Sequence, residues 1–343
     1  MPPRRQSSLL TVATYPPLHG GRSGVRGAIL PLQSQEESMP QVEANGLMLE
    51  VEEFGDPADP PILLVVGLNA QLTVWPEGFC RLLADRGHRV VRFDNRDVGL
   101  STWFDHCPVG DPVEAFVSFL EGEKVDAPYS LEDMAADAVG LLDGLGLDSA
   151  HVVGGSLGGM IAQRMAIHWP DRLRSLTSIM SMPRVVPLDL EVVLALQPPE
   201  LDPSSATDTG RAKIEEIAVE AALVAARQFA GSAHPLDEDR VKARALEDLD
   251  RAWHPDGGTR QILAVLADGD RRPLLADLEV PTLVLHGTED PLIPPQGGQE
   301  TADAVPGSRL VWIEGMGHDW PQTAWPLLLQ PICDLVAGVE EGD

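Results

Sequence analysis

Short, continuous runs of apolar residues constrain the fold of this chain most strongly. The clearest run covers residues 62–66 (Ile-Leu-Leu-Val-Val) and ends at a glycine. A run of this kind is buried on both faces, which is typical of a strand inside a parallel sheet. Further strands are predicted from the sequence pattern at Leu47–Phe54, 89–93, 150–153, 175–180, 281–287 and 308–313.

Helical patterns alternate with these strands. They are predicted at 76–86, 130–145, 157–168, 299–304 and 323–337. The second helix opens with Ser130-x-x-Asp133, which forms a capping box at a helix N-terminus. Regular alternation of strands and helices is the pattern of βαβ units, so we predict an α/β fold with a mostly parallel sheet flanked by helices.

The alternation breaks between residues 183 and 273. This block is acidic, rich in proline and helical, without a clear strand, and its best amphipathic helix covers 214–229. We therefore predict a core made of 41–182 and 274–343, interrupted by a helical cap at 183–273. Residues 1–40 are rich in Pro, Ser, Gly and Arg, and we interpret them as a disordered N-terminal extension or as sequence upstream of a functional start at Met39.

Charge and cysteine content narrow the function classes. The chain has 25 Lys+Arg against 53 Asp+Glu, a net charge of −28. Such a surface repels phosphate backbones and anionic lipid, which argues against nucleic-acid and membrane partners. No apolar run approaches the roughly 20 residues of a membrane span. The three cysteines are scattered and fit neither a disulfide framework nor a metal site, so we predict a cytoplasmic protein without a bound metal.

One serine occupies a position suited to chemistry. Gly154-x-Ser156-x-Gly158 joins the strand at 150–153 to the helix at 157–168. Glycines on both sides leave room for a strained turn that exposes the serine hydroxyl above the sheet edge. The pattern is weak by itself in a chain with 32 glycines, and the alternative interpretation is an ordinary glycine-rich turn with a surface serine.

Two further polar residues follow later strands. Asp290 lies in the turn after 281–287, and His318 lies in a Gly-x-Gly-His turn after 308–313. Acyl transfer by a serine needs a base and an acid that orients the base. Because the carboxyl ends of parallel strands meet at one sheet edge, we predict a catalytic triad of Ser156, His318 and Asp290.

The triad also needs donors for the developing oxyanion. The backbone N–H of Leu157, directly after the serine, is predicted as one donor. The second is expected from the loop after 62–66, where Leu68 N–H is our prediction and Asn69 N–H is the alternative.

Several other polar and aromatic residues have competing or purely structural interpretations. Glu289 and Asp319 compete with Asp290 for the role of the acid. His286 and His151 are interpreted as packed in the sheet, and Asp94 and Arg96 as a pair that braces loops. Three aromatic residues either line the acyl pocket or pack under the cap: Trp75, Trp103 and Phe104.

The chain from about Met39 onward resembles the α/β-hydrolases, and within them the aclacinomycin methylesterase group. The resemblance rests on the three catalytic segments and on four others: Phe54-Gly55-Asp56-Pro57, Val66-Gly67-Leu68-Asn69, Trp75-Pro76, and Arg-Phe-Asp-Asn-Arg-Asp-Val-Gly-Leu-Ser at 92–101. It covers nearly the whole chain except the N-terminal forty residues and most of the insertion. Two segments depart from the usual pattern: Val66-Gly67 replaces His-Gly, and Asp94-Asn95-Arg96-Asp97 replaces Asp-x-Arg-Gly.

The resemblance implies a serine hydrolase without a cofactor and with a helical cap over its pocket. We predict a carboxylesterase that cleaves a small to medium ester through an acyl-enzyme, as a monomer or a dimer. The same apparatus serves perhydrolysis (the cofactor-free haloperoxidase reaction), lactone or amide cleavage, and hydrolysis of a C–C bond. Epoxide hydrolases and haloalkane dehalogenases are disfavoured because both need an aspartate at position 156. Outside the enzymes, the alternative is a relative that binds a ligand without turning it over.

Overall fold

The computed structural model describes residues 41–186 and 208–342. The predicted N-terminal extension and residues 187–207 of the predicted cap therefore lie outside the described residues. The described chain contains one eight-stranded sheet with the order β1-β2-β4-β3-β5-β6-β7-β8. Its strands are β1 Gln41–Ala44, β2 Leu47–Phe54, β3 Pro61–Val65, β4 Arg89–Phe93, β5 Ala150–Gly155, β6 Leu173–Ile179, β7 Thr282–Gly287 and β8 Arg309–Ile313.

The sheet is mixed at one edge and parallel elsewhere. β1 pairs antiparallel with β2, and β2 pairs antiparallel with β4. All the remaining neighbours, from β4 and β3 through to β8, pair in parallel. The predicted α/β fold with a mostly parallel sheet is confirmed. In such a sheet the carboxyl ends of the parallel strands share one edge, which is where a site is expected.

Helices connect the strands and cover both faces of the sheet. They are α1 Glu77–Ala84, α2 Pro112–Leu120, α3 Leu131–Gly144, α4 Leu157–His168, α5 Asp208–Phe229, α6 Glu238–Arg251, α7 Pro255–Ala267, α8 Arg272–Leu275, α9 Pro295–Ala304 and α10 Trp325–Glu340. The predicted capping box is present, because Ser130 and Asp133 bond reciprocally at the start of α3.

Strand β3 and the residue after it divide their side chains between two hydrophobic cores. Leu63 and Val65 belong to the core under α3 and α4. Ile62, Leu64 and Val66 belong to the core under α1 and α10. This division follows from the two-residue period of a strand, and all five side chains are fully buried. Burying each one stabilises the fold by about 1.5–3 kcal/mol, which is why the run is apolar throughout.

Two elements were not predicted. β1 has only four residues, of which only Ala44 is buried, so its pattern is too short to indicate a strand. α2 lies between β4 and α3, where the sequence analysis predicts no helix. Its start carries a clear signal, since the Asp111 side chain accepts from two backbone N–H groups and Pro112 occupies the first turn.

The expected pairing of Asp94 with Arg96 is wrong. Arg96 instead donates to the two oxygens of Asp137 on α3, at 2.5 and 2.6 Å. Asp94 accepts from Arg251, at the end of α6, at 3.0 Å, and from the N–H of Leu72 at 2.6 Å. Each residue therefore braces its loop against a distant helix, and Asp94 joins the helical insertion to the core.

Candidate active site

Ser156 stands on a strained turn between β5 and α4. Its backbone has φ 55° and ψ −120°, a conformation that residues other than glycine rarely adopt. The flanking glycines are required by close packing. An ideal Cβ on Gly154 would lie 2.2 Å from the Gly158 oxygen, and one on Gly158 would lie 2.1 Å from the Val65 oxygen. The turn therefore holds the Ser156 side chain at the carboxyl edge of the sheet.

His318 reaches this serine from the turn after β8. Its Nε2 lies 3.0 Å from Ser156 Oγ. Its backbone N–H donates to the carbonyl oxygen of Phe229, the last residue of α5, at 2.7 Å. The imidazole is thus positioned by a helix of the insertion as well as by the strand that precedes it.

Asp290 completes the hydrogen-bonded chain. Its Oδ2 accepts from His318 Nδ1 at 2.7 Å. Its Oδ1 accepts from the backbone N–H groups of Leu292 and Ile293, at 2.9 and 2.8 Å. The competing carboxylate of Glu289 is turned to the surface, where it accepts from Ser232. The structure therefore brings Ser156, His318 and Asp290 together, in the arrangement expected for a triad.

A second histidine lies beside the Asp290 carboxylate. His286 is fully buried in β7, as predicted, and its Nε2 donates to the Ile293 carbonyl at 2.9 Å. The same nitrogen lies 3.5 Å from Asp290 Oδ2. Burial lowers the pKa of His286, so it stays neutral beside the carboxylate. The only signal for this contact in the sequence is the position of His286 at the end of β7, four residues before Asp290.

The two predicted oxyanion donors lie beside the serine. Leu157 opens α4 directly after Ser156, and Leu68 follows Gly67, whose ideal Cβ would be 3.4 Å from Ser156 Cβ. Neither N–H makes a hydrogen bond within the described residues. The alternative donor is excluded, because Asn69 N–H already donates to Gln261 Oε1 at 2.9 Å.

Gln261 is a site residue that sequence reasoning missed. It lies on α7 and is fully buried. Its side-chain oxygen accepts from Asn69 N–H, and its Nε2 donates to the Arg96 carbonyl at 3.0 Å. One amide of the insertion thereby fixes the loop that carries Leu68 N–H. No local motif marks this glutamine, since its partner lies 192 residues away.

A buried ion pair holds α7 to the loop that follows β4. Asp97, fully buried, accepts from Arg260 Nε and Nη2 at 2.6 and 2.9 Å, and from the Tyr129 hydroxyl at 2.9 Å. His254 Nε2 lies 3.2 Å away. Burial alone would raise the pKa of Asp97, but the hydrogen bonds from Arg260 and His254 outweigh it and hold the pKa below its usual value. The carboxylate therefore stays ionised in the folded protein.

The predicted triad opens into a cavity of about 480 Å³. Ser156 and His318 lie in its wall. Most of the remaining wall is apolar and comes from both the core and the insertion: Met160, Met180, Met182, Ala218, Ala222 and Phe229. Among the polar side chains in the wall, four lie on α6 and on the turn after β8: Arg240, Arg244, Asp248 and Asp319. This shape suits a small molecule with an apolar body.

The aromatic residues divide between lining and packing. Trp75 is one of the residues that line the cavity. Trp103 stacks on His254, with ring centroids 4.2 Å apart, and Phe104 packs edge-on against Tyr129. His151 lies within β5, bonded to Ser175 and Glu340 rather than to the site.

Across residues 41–186 and 208–342, no cluster of three His, Cys, Asp or Glu side chains could hold a metal ion. In the same ranges, no helix is both long enough and apolar enough to span a bilayer.

A family profile for the alpha/beta hydrolase fold matches residues 60–320. The chain belongs to this family. The hydrolase is 31% identical to rhodomycin D methylesterase DnrP of Streptomyces peucetius over 293 residues, which cover 82% of this chain and 92% of that protein. It is also 31% identical to the pimeloyl-[acyl-carrier protein] methyl ester esterase of Neisseria meningitidis over 198 residues, 56% of this chain and 59% of that one.

Solved structures agree on the fold of the hydrolase. The enol-lactonase from Burkholderia xenovorans LB400 superimposes with a TM-score of 0.64 at 22% identity, covering 87% of this chain and all of that one (100%). The two relatives named above are methyl ester esterases, which is consistent with a hydrolase that acts on ester bonds. The predicted resemblance to the methylesterase group of α/β-hydrolases is confirmed.

Proposed function

We propose that this protein is a serine carboxylesterase that forms its acyl-enzyme on Ser156. The observation that carries the proposal is the unbroken chain of hydrogen bonds from Ser156 Oγ through His318 to Asp290, with distances of 3.0 and 2.7 Å. Relatives that are methyl ester esterases support the choice of an ester as substrate. The apolar cavity beside the serine supports a small-molecule ester.

In the proposed acylation step, Ser156 Oγ attacks the ester carbonyl carbon and its proton passes to His318 Nε2. Asp290 holds the imidazole in the tautomer that has a free Nε2 and stabilises the imidazolium. The negative charge that develops on the carbonyl oxygen is met by the N–H groups of Leu157 and Leu68. Each such donor typically lowers the barrier by about 3–4 kcal/mol. The tetrahedral species then expels the alcohol, which takes the proton from His318.

Deacylation repeats these steps with water as the nucleophile. His318 Nε2 takes a proton from the water, which attacks the acyl carbonyl of the ester on Ser156. Collapse of the second tetrahedral species releases the carboxylic acid and returns the proton to Ser156 Oγ. No cofactor enters the proposed cycle.

We further propose that the helices between β6 and β7 act as a cap over the site. α5, α6 and α7 all contribute residues to the cavity wall. They also touch the machinery directly, through the Phe229 carbonyl on the His318 N–H and through Gln261 on the Asn69 N–H. A cap in this position excludes bulk water and limits the size of the substrate.

Labelling and turnover together test the nucleophile. A fluorophosphonate probe should label the wild-type protein at Ser156, and a series of p-nitrophenyl esters should be hydrolysed. Ser156→Ala should abolish both while leaving the thermal unfolding midpoint and circular dichroism spectrum close to those of the wild type.

Ser308→Ala is a matched control, because Ser308 Oγ donates only to the carbonyl of Ala302, away from the site. It should keep the label and the activity. Turnover above about 1% of the wild-type rate in purified Ser156→Ala protein would show that another group is the nucleophile. Labelling without measurable turnover of any ester would favour a ligand-binding relative.

A further inference from the structure

One polar side chain in the wall of the cavity has accessible atoms and no partner. Asn69 lines the cavity and is half-buried. Its backbone N–H donates to Gln261, but its side-chain amide makes no hydrogen bond within residues 41–186 and 208–342. Neither amide atom is among the buried polar atoms that lack a partner, so both are accessible. Because most of the wall is apolar, this amide is a group available to bond to a ligand.

The loop of Asn69 and the helix beside it hold this side chain in place. The Asn69 backbone has φ 52°, in the left-handed region that asparagine adopts more readily than most residues. Its N–H is fixed by Gln261 at 2.9 Å. On α7, Gly258 leaves room for the amide, because an ideal Cβ there would lie 2.7 Å from both Asn69 Cγ and Asn69 Oδ1. A side chain at position 258 would therefore displace the amide from its position in the wall.

The amide also lies near the reacting centre. Asn69 directly follows Leu68, whose N–H is the proposed oxyanion donor, and the Cα atoms of adjacent residues are about 3.8 Å apart. The same loop passes close to the proposed nucleophile, since an ideal Cβ on Gly67 would lie 3.9 Å from Ser156 Oγ. A substrate group that bonds to the Asn69 amide therefore lies within a few bonds of the ester carbonyl.

We propose that Asn69 determines specificity by binding an oxygen atom that the substrate carries on the first or second carbon from its ester group. The Asn69 Nδ2 donates and the Oδ1 accepts, so a carbonyl oxygen can use the donor and a hydroxyl can use either atom. A charged group would gain no counter-charge from the neutral amide. A hydrocarbon would cover the amide and leave it unpaired. This role rests on the proposed esterase function.

Three pairs of esters test the contact, each with an apolar ring and with one member that carries the oxygen. Methyl mandelate is compared with methyl phenylacetate, and methyl benzoylacetate with methyl hydrocinnamate, so that the oxygen lies on the acyl part. Phenacyl acetate is compared with phenethyl acetate, which places the oxygen on the alcohol part. The measured quantity is the ratio of kcat/KM within a pair. Differences in intrinsic reactivity are the same for every variant of the protein, so they cancel when these ratios are compared.

Asn69→Gly should lower this ratio by about threefold to tenfold for at least one pair, because a neutral hydrogen bond is lost. The pair that responds identifies the part of the substrate that carries the oxygen. Glycine keeps the left-handed backbone, and any general loss of loop position slows both esters of a pair without changing their ratio. Asn69→Asp keeps an acceptor and removes the donor, so it should lose a preference for a carbonyl-bearing ester as fully as Asn69→Gly does.

Arg244→Met is the matched control. Arg244 lines the same cavity from α6, its side chain is 38% exposed, and it faces Asp248 at 3.9 Å. It is thus another accessible polar group, but it belongs to the insertion and not to the loop that carries Leu68. In this variant the three ratios should stay within about twofold of those of the wild type.

Ratios that are unchanged in Asn69→Gly for all three pairs would overturn the contact. An equal or larger change in Arg244→Met would also overturn it, because the substrate oxygen would then lie against α6. Calorimetric binding of the same esters to Ser156→Ala, with and without Asn69→Gly, tests the contact independently of turnover. A binding preference that depends on Asn69, together with no hydrolysis by the wild type, would refute the esterase function and leave the contact standing. Hydrolysis with unchanged ratios would refute the contact alone.

Discussion

The orientation of the Asp290 side chain is fixed by hydrogen bonds to both of its carboxylate oxygens. Its Oδ1 is occupied by two backbone N–H groups and its Oδ2 by His318. The carboxylate therefore cannot rotate without losing three hydrogen bonds, and it fixes the tautomer of His318. Its neighbour Glu289, equally acidic, has no part in this arrangement because its side chain is turned outward to Ser232.

Separate substitutions of Asp290 and Glu289 test which of the two carboxylates is the acid of the proposed triad. Asp290→Asn should reduce kcat for a p-nitrophenyl ester by about 10³–10⁴-fold, because the amide favours the wrong tautomer of His318 while keeping the shape of the site. Glu289→Gln should change kcat by less than about twofold, since the side chain is exposed. Steady-state kinetics on both variants provide the measurement. Comparable losses in the two, or a larger loss in Glu289→Gln, would contradict the assignment of the acid.

Residues with a local signature could be predicted, and residues with only distant partners could not. Ser156 has its glycines, and Asp290 and His318 each follow a strand end, so the sequence marks all three. Gln261 and Arg240 lie in the helical insertion without any motif around them. Their contacts reach Asn69 and Trp320, far away in the sequence, and a single sequence carries no record of such contacts.

At the scale of elements, α7 joins the insertion to the core at two places. Gln261 accepts a hydrogen bond from Asn69 N–H, in the loop that carries Leu68, and Arg260 donates to the buried carboxylate of Asp97. We expect the first contact to support the proposed chemistry and the second to support the fold. Separate substitutions can therefore distinguish the two contributions.

Gln261→Leu should impair catalysis more than binding. It removes the acceptor of Asn69 N–H, so the loop that carries Leu68 N–H loses its fixed position. We expect kcat to fall about tenfold, less than the loss of a whole oxyanion donor, while KM changes by less than about threefold. Gln261→Glu keeps an acceptor and should recover part of kcat. A loss confined to KM in Gln261→Leu would indicate a role in substrate binding instead.

Asp97→Asn should destabilise the fold. Removing one partner of a buried ion pair leaves Arg260 uncompensated, which costs about 3–5 kcal/mol at pH 7. The folded-state pKa of Asp97 lies below the ordinary value, so its stabilisation is present above about pH 4 and is lost as the pH falls toward the folded-state pKa. Urea unfolding at pH 7 and at about pH 3 should therefore show a smaller difference between variant and wild type at the lower pH.

Asp105→Asn provides the control for this ion pair. Asp105 approaches the same cations, 3.8 Å from Arg260 and 3.4 Å from His254, but its side chain is 64% exposed. Its replacement should cost less than about 1 kcal/mol. If the two variants were equally stable, or if the cost of Asp97→Asn did not decrease at low pH, the buried pair would not have the role described.

The two elements that were not predicted, β1 and α2, are short, so their sequence patterns are weak. β3 could be predicted because burial on both faces demands an apolar run. β1 lies at the sheet edge and has four residues, so its alternation of polar and apolar residues is too brief to indicate a strand. For α2 a start signal is present at Asp111 and Pro112. The helix has only nine residues, however, and polar segments lie on both sides of it.

At the scale of the whole molecule, the net charge of −28 opposes the compact state through repulsion between like charges. Added salt screens this repulsion, since the Debye length is about 10 Å at 0.1 M and about 3 Å at 1 M. We expect the thermal unfolding midpoint to rise by at least about 2 °C between low salt and about 1 M NaCl. KCl should act equally, because the effect is screening rather than binding of one cation. A midpoint that is constant or falls would contradict this.

The hydrogen bond from the His318 N–H to the Phe229 carbonyl limits how this protein can be re-engineered. Replacing the helices between β6 and β7 with those of a homologous protein would normally leave the site intact, because the three residues of the proposed triad lie in turns that follow β5, β7 and β8. Here the contact between insertion and core includes His318, the proposed general base, so a graft that begins before residue 230 would have to supply an equivalent carbonyl or lose the alignment of the imidazole. Specificity changes are therefore better sought by altering side chains along α6 than by exchanging the whole insertion.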